Sequence, residues 1–418
     1  MKKLFYLICA RIYGPELTAR IVYFLELKKQ ISAVVPNVLV HSRSIFSKDI
    51  LRMKDSERIR YLILSNSLLS IIQSVWLPRY AREQSFYYDR LKPESRAWKM
   101  CEAFAGTLLS LLKKNSEFIG VLSANFDYWQ DAAFRASCSK DNLAFMVLRR
   151  ENEATEKARA VSMRRYADVR IGTIDLVMVF SESSKKLLES IKSENIVFKD
   201  IVVTGPPRLD RPSMIPDTIL QDEKDSIVIF SYINGNYCDD PRNFWEVVKH
   251  LYRFSEERGL SFIIKCKSEG DKQALKNAFS EHDLNPERVD WRVAETPIDV
   301  VNKAIVAISF NSTVLYQLLS LNVPLIIPFV YASEQEKDDA ILHNSKGMDE
   351  AGIFRVDTMQ ELDVELNRII ANRQKFDFTH QFRLSLRENY LSWDPANPSA
   401  RRVEETILLL NNRRSKNR

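Results

Sequence analysis

The chain has 418 residues, 45% of them hydrophobic and 28% charged, with only 10 Gly and 15 Pro. That balance excludes a fibrous or largely disordered protein, and the length suits two domains of ordinary size. Its 61 basic residues outnumber 55 acidic ones for a net charge of +6, a mild bias toward anionic partners. The basic residues are dispersed and no nucleic-acid-binding motif accompanies them, so no nucleic-acid partner is expected.

The five cysteines (Cys9, Cys101, Cys138, Cys238, Cys266) stand singly, with no Cys-x-x-Cys pair. Neither a disulfide framework nor a zinc site is expected, and a reducing compartment fits. The five histidines (His41, His250, His282, His343, His380) show no ligand spacing, so no metal is assigned.

The first ten residues imitate a secretory signal. Their apolar run reaches only from Leu4 to Ala10 before Arg11, and no small-x-small cleavage site follows. No run approaches the roughly 18–20 apolar residues of a membrane span. The expectation is a cytoplasmic protein. Residues 1–35 read as helical, either an addition to the first domain or its edge, and 56–76 and 95–114 also carry helical spacing.

From about residue 117, short apolar runs alternate with amphipathic helices. The runs are 118–122, 144–148, 176–180 and 201–203, with helices at 130–139 and 183–191 between them. This alternation predicts parallel β-α-β units. The segment 206–223 is polar and holds Pro206, Pro207, Pro212 and Pro216, which marks it as the inter-domain crossing.

The alternation then resumes, with strands at 226–232, 261–265, 289–292, 305–309 and 324–328. Helices fall at 244–258, 272–279, 297–303, 312–320 and 359–371, before an Arg-rich C-terminal helix. The domains expected are 1–212, 224–385, and a helix and basic tail at 386–418. The architecture is α/β, two Rossmann-like lobes with a central cleft and N-terminal helical elements.

The stretch from Ile305 to Pro328 carries the clearest chemistry. A buried strand ends in Ser309, a polar turn through Asn311 follows, and Ser312 or Thr313 opens a helix. Ligands of doubly wound sheets sit beyond the carboxyl ends of strands, where a helix N-terminus offers free N–H groups to phosphate. The plainer reading makes Ser312 only an N-cap. The unit resembles the C-terminal lobe of GT-B glycosyltransferases, in which a Ser/Thr at this turn binds the nucleotide phosphate. Asn322 stands where that pattern usually has Gly.

Further motifs follow in order: Ser123 to Asp131 after a strand, Asn142 to Glu151 ending in Arg150-Glu151, and Val203 to Asp210 at the crossing. Phe230, Ser231 and Tyr232 end the first strand of the second lobe, and Lys265, Cys266 and Lys267 end its second. Together, over roughly 117–330, this set resembles bacterial surface-polysaccharide transferases. It is most similar to the retaining β-Kdo transferases that use CMP-Kdo. Arg150-Glu151 replaces the family's Lys-Glu, and Lys265-Cys266-Lys267-Ser268 lacks the His of the Lys-x-His-Pro motif found in many related transferases.

The resemblance implies transfer of Kdo from CMP-Kdo to a glycan acceptor, lipid-linked or free, in O-antigen or capsule synthesis, with no cofactor beyond the donor. Retention requires a carboxylate nucleophile and a second acid/base carboxylate. Glu151 is the candidate acid/base, and the nucleophile is Asp210, Asp239 or Asp240. Alternatively, Asp210 pairs with Arg208 or Arg211, and Asp239 or Asp240 caps a helix.

Ser231, Tyr232, Lys265, Lys267, Ser309, Asn311, Ser312 and Thr313 are assigned to the nucleotide sugar. Lys265 and Lys267 alternate with Cys266 and so share one strand face. Asn125, Tyr128, Trp129, Gln130, Asp131 and Arg150 are assigned to the acceptor; Tyr128 and Trp129 serve equally well as core. The basic residues at Arg401, Arg402 and 413–418 form either a solvated tail or a dock for an anionic membrane face. The alternatives kept open are a GT-B transferase using a UDP-sugar or a CDP-activated alcohol, and a non-catalytic sugar-nucleotide or glycan binder.

Overall fold

The computed structural model describes residues 1–43, 46–82, 95–149, 172–191, 195–210, 225–231, 242–301, 304–310, 314–319, 323–338, 351–372, 380–392 and 396–416, with positions 160, 163, 240, 312, 321, 348, 349 and 394. The chain forms two compact units. One comprises 1–211 with 390–418, and the other 212–389. The C-terminal segment, set apart in the sequence, therefore counts from residue 390 with the first lobe.

The first lobe is built on strands β1 (Asn37–Ser42), β2 (Arg60–Ser65), β3 (Phe118–Ser123), β4 (Ala144–Leu148), β5 (Gly172–Ile174), β6 (Leu176–Val179), β7 (Ile196–Phe198) and β8 (Ile201–Val203). Six of them make a parallel sheet in the order β2-β1-β3-β4-β6-β8, while β5 and β7 pair separately. The sheet is covered on both faces, so its inner strands are apolar on both sides. Leu39, Leu62 and Val121 face one core with residues of the helices Lys2–Val22, Asn66–Gln73, Arg96–Asn115 and Ala132–Lys140. Val38, Val40, Tyr61 and Met146 face the other, with Ile50 of the helix Ser47–Met53 and Val403 and Ile407 of the helix Ser399–Lys416.

The second lobe uses β9 (Ser226–Phe230), β10 (Ser261–Lys265), β11 (Val289–Arg292), β12 (Ala304–Ile308), β13 (Leu325–Pro328) and β14 (Ile353–Val356). All pair in parallel, in the order β11-β10-β9-β12-β13-β14. Counted within the lobe, this is 3-2-1-4-5-6, the order of dinucleotide-binding sheets. Its helices start where side-chain caps allow. Ser268 accepts from the Asp271 amide, Thr296 and Asp299 form a capping box, and Thr358 accepts from the Glu361 amide. The expected class, two Rossmann-like α/β lobes, is what the chain adopts.

Several expectations need correction. The alternation begins at residue 37, not 117. Residues 56–76, read as helical, hold β2 and then the helix Asn66–Gln73. The run Tyr61-Leu62-Ile63-Leu64 fits either state by itself, and parallel pairing with β1 from Asn37↔Arg60 to Ser42↔Ser65 selects the strand. Strand β14 and the helix His380–Leu391 were not foreseen. The N-terminal helix proves to be part of the first lobe, with Tyr6, Ala10, Ala19, Val22, Tyr23 and Leu27 in its core. Of the crossing, Pro207–Leu209 forms a 3-10 turn, and 211–224 lie outside the described residues.

Candidate functional site

In the second lobe the strand order reverses between β9 and β12, whose registers pair Ile229 with Ile308. Ser231 and Ser309 follow directly at their carboxyl ends, where an open sheet of this order leaves a crevice for ligands. Ser309 is buried, and its hydroxyl donates a long 3.3 Å bond to the Phe310 carbonyl. Ser231 is more firmly held. Its hydroxyl donates to Asp271, and the same carboxylate oxygen accepts the Lys267 amide at 2.9 Å. Asp271 thus ties the end of β9 to the turn after β10.

Ser312 does not open a helix as expected. The helix begins at Val314, whose amide lies 3.4 Å from the Ser312 hydroxyl, a weak cap. The lysine pair also separates. The Lys265 ammonium donates to the carbonyls of Cys266 at 2.6 Å and Val293 at 2.8 Å, whereas Lys267 is exposed. The shared cationic face read from alternation is therefore a tethered Lys265 and a solvated Lys267. Tyr232, Asn311 and Thr313 lie outside the described residues.

The first lobe reverses between β1 and β3, which pair from Asn37↔Phe118 to Val40↔Leu122. Here Tyr128, Gln130 and Asp131 of the expected acceptor residues meet His41, Arg43, Ser70, Gln73 and Ser123. Asp131 is fully buried. One carboxylate oxygen lies 2.6 Å from His41 Nδ1 and the other accepts from the Ser123 hydroxyl at 2.5 Å. Burial raises Asp131, but the bonds from His41 and Ser123 and the charge of Arg43 outweigh it and hold the carboxyl below its ordinary value. His41 Nε2 is buried with no hydrogen-bond partner among the described residues.

Arg43 covers the Tyr128 ring at 3.3 Å from its centroid and donates to Gln130 Oε1 at 2.8 Å. Gln130 in turn donates to Ser70 at 2.9 Å and accepts from Gln73 through its carbonyl at 2.9 Å. Asn125 is buried and accepts the Phe126 amide. Trp129 is half-buried against the core, while Tyr128 lies beneath Arg43. Arg150 and the candidate acid/base Glu151 lie outside the described residues.

The candidate nucleophiles are engaged to different degrees. Asp210 caps the C-terminal helix: its oxygens accept the Ser399 amide at 2.7 Å and the Ala400 amide at 2.5 Å. Burial pushes its carboxyl up, against the opposing pull of those amides. It does not pair with Arg208, which instead binds Asp49 through its amide at 3.0 Å and its guanidinium at 3.2 Å; Arg211, the other partner considered, lies outside the described residues. Gly205 lets this junction close. Its φ of +72 lies in the left-handed region, and a Cβ there would stand 2.6 Å from the Leu391 carbonyl and from Ser399 Oγ. Asp240 is clamped by Arg242, which donates from Nε at 2.8 Å and from its amide at 2.9 Å and holds the carboxyl below its ordinary value. Asp239 lies outside the described residues.

Sequence reasoning missed His41, Arg43 and Asp271. The first two sit at the end of the unrecognised β1, for which Val38-Leu39-Val40 between polar neighbours was the available signal. Asp271 was visible as the third residue after the Ser268 cap, but its link to Ser231 is tertiary.

No family model matches the chain, and no curated protein is significantly similar to it. Solved structures resemble it in chain trace. The S. aureus MnaA–UDP co-structure aligns with a TM-score of 0.49 at 12% identity, covering 90% of this chain and 96% of that one. The UDP-GlcNAc 2-epimerase of Methanocaldococcus jannaschii gives 0.49 at 13%, covering 90% and 100%. Trehalose-6-phosphate synthase OtsA gives 0.48 at 11%, covering 90% and 99%. At these identities and scores the likenesses assign neither a substrate nor a residue role.

Proposed function

We propose that the chain is a GT-B glycosyltransferase that transfers Kdo from CMP-Kdo to a glycan acceptor of a bacterial surface polysaccharide, with retention. The carrying observation is the 3-2-1-4-5-6 sheet of the second lobe, with Ser231 and Ser309 ending the two strands at its switch point. The donor sugar is drawn from the order of sequence motifs, and the acceptor role of the first lobe from the cluster around Asp131, Gln130 and Tyr128.

In this reading a carboxylate forms a bond to the anomeric carbon as the bond to the CMP phosphate oxygen breaks. The acceptor hydroxyl then displaces that carboxylate, giving its proton to Glu151. The cap formed by Asp210 commits both its oxygens to the fold, and Asp240 is committed to Arg242. Asp239, which lies outside the described residues, is the candidate taken first to the test.

Intact-mass spectrometry after incubation with CMP-Kdo tests this. The expected result is a Kdo-sized covalent adduct that Asp239→Asn abolishes and Asp210→Asn retains. An adduct lost in Asp210→Asn with the fold intact would move the nucleophile. Binding of UDP but not CMP would replace the donor. CMP binding without an adduct or turnover on any glycan would make the protein a non-catalytic binder.

A further inference from the structure

We infer that the N-terminal helix is a membrane-docking surface for anionic lipid, independent of the donor reading above. The helix Lys2–Val22 buries Tyr6, Cys9, Ala10, Thr18, Ala19 and Val22 against the first lobe. Its other side is apolar but uncovered. Leu4, Phe5, Ile8 and Ile12 are between 42% and 66% exposed, and with Met1 they share an arc of about 100° on a helical wheel. Gly14, with φ +71, and Pro15 kink the helix, and beyond the kink Leu17 and, in the π-helix Tyr23–Leu27, Phe24 and Leu25 are also exposed. Exposed apolar residues scattered singly need no explanation, but four sharing one arc of a helix do.

Charge identifies the occupant. Residues 1–30 carry Lys2, Lys3, Arg11, Arg20, Lys28 and Lys29 against only Glu16 and Glu26. Glu26 is taken by Lys2 at 2.8 Å and by the Tyr6 hydroxyl. Lys3, Arg11, Arg20 and Lys29 are exposed and make no ion pair among the described residues. An exposed apolar arc on a segment whose excess charge is positive and exposed suits the boundary between anionic headgroups and acyl chains. A second copy would bring like charge against it. Among the described residues no helix is long and apolar enough to cross a membrane, so this helix would lie in the interface plane.

The basic C-terminal helix is less suited to the task. Arg413 pairs with Asp200 at 3.1 Å and Arg414 with Asp175 at 2.6 Å. That helix also packs on the opposite face of the first lobe's sheet.

The test is co-sedimentation of the full chain with phosphatidylcholine vesicles, with and without phosphatidylglycerol. The expected result is pelleting with the anionic vesicles only, weakened by high salt. Ile8→Asp with Ile12→Asp, both at exposed positions, is expected to lower partitioning by at least about tenfold with an unchanged melting temperature. Should that variant misfold, the charge variant Lys3→Glu/Arg11→Glu/Arg20→Glu is expected to abolish the preference for anionic vesicles. Wild-type protein that stays in the supernatant with both vesicles overturns the inference, as does pelleting that survives in both variants. A dimer that Ile8→Asp/Ile12→Asp dissolves, without vesicle binding, assigns the face to a second copy. CMP plays no part in the readout, so failure here leaves the donor reading untouched.

Discussion

The two lobes end their switch-point strands in different ways. In the first, β1 and β3 deliver His41, Arg43 and Ser123 into a buried network closed by Asp131 and Gln130. In the second, β9 and β12 end in serines, one bound to Asp271 and the other making only a long bond to a neighbouring carbonyl. A buried charged network fixes geometry because each group is costly to leave unpaired. At the second switch point the amides of both serines donate to neighbouring strands, and only the Ser309 hydroxyl is weakly held. The first switch point is thus pinned by a buried network, and the second by fewer side-chain bonds.

The strongest way to break the comparison is at Asp131. Asp131→Ala leaves His41 with neither nitrogen paired, and a loss of about 3–4 kcal/mol is expected in urea denaturation. The pH dependence has a definite sign. The folded carboxyl lies below its ordinary value, so its contribution is complete above the unfolded value of about 3.9 and is lost as pH falls through the folded one. The stability gap between wild type and Asp131→Asn is expected to persist at neutral pH and to close in acid.

Second in size is Arg383, one of the second lobe's buried charges. It donates to the carbonyls of Ala351 at 2.6 Å, Val323 at 2.8 Å and also Leu321, and burial pushes it down to about 9. Arg383→Met strands those carbonyls and is expected to cost about 3 kcal/mol in the same assay. This would show that the second lobe has a polar network at the starts of β13 and β14 besides the Asp271 tie at its switch point.

Smaller effects sharpen the contrast. Asp210→Asn weakens the cap on the C-terminal helix and is expected to cost about 1 kcal/mol while leaving adduct formation intact. Ser309→Ala is expected to change stability by less than about 0.5 kcal/mol. Calorimetric titration of that variant with CMP is expected to show about fivefold weaker binding, the scale of one hydrogen bond. A large stability loss with unchanged CMP affinity would reverse the roles assigned to the two switch points.

Much of the fold was legible because buried parallel strands are short apolar runs with few rivals. Strands β4, β8, β10 and β11 and the helix Met359–Ala371 fall where the pattern put them. Strand β2 was misread because four successive apolar residues have no period that separates strand from helix. Of the site, the chain segments were legible but not the side-chain pairings. Asp210 was weighed against Arg208 because they are neighbours in sequence, yet its partners are the amides of Ser399 and Ala400.

By itself, the sequence determined two α/β lobes and the turns at which their strands end, since hydrophobic alternation and proline placement are local signals. Only the tertiary structure decided the strand orders, and hence where each sheet reverses. It also decided that His41 meets Asp131 across 90 residues. Those outcomes depend on which surfaces bury one another and which buried polar groups find partners, and neither is encoded within any one segment.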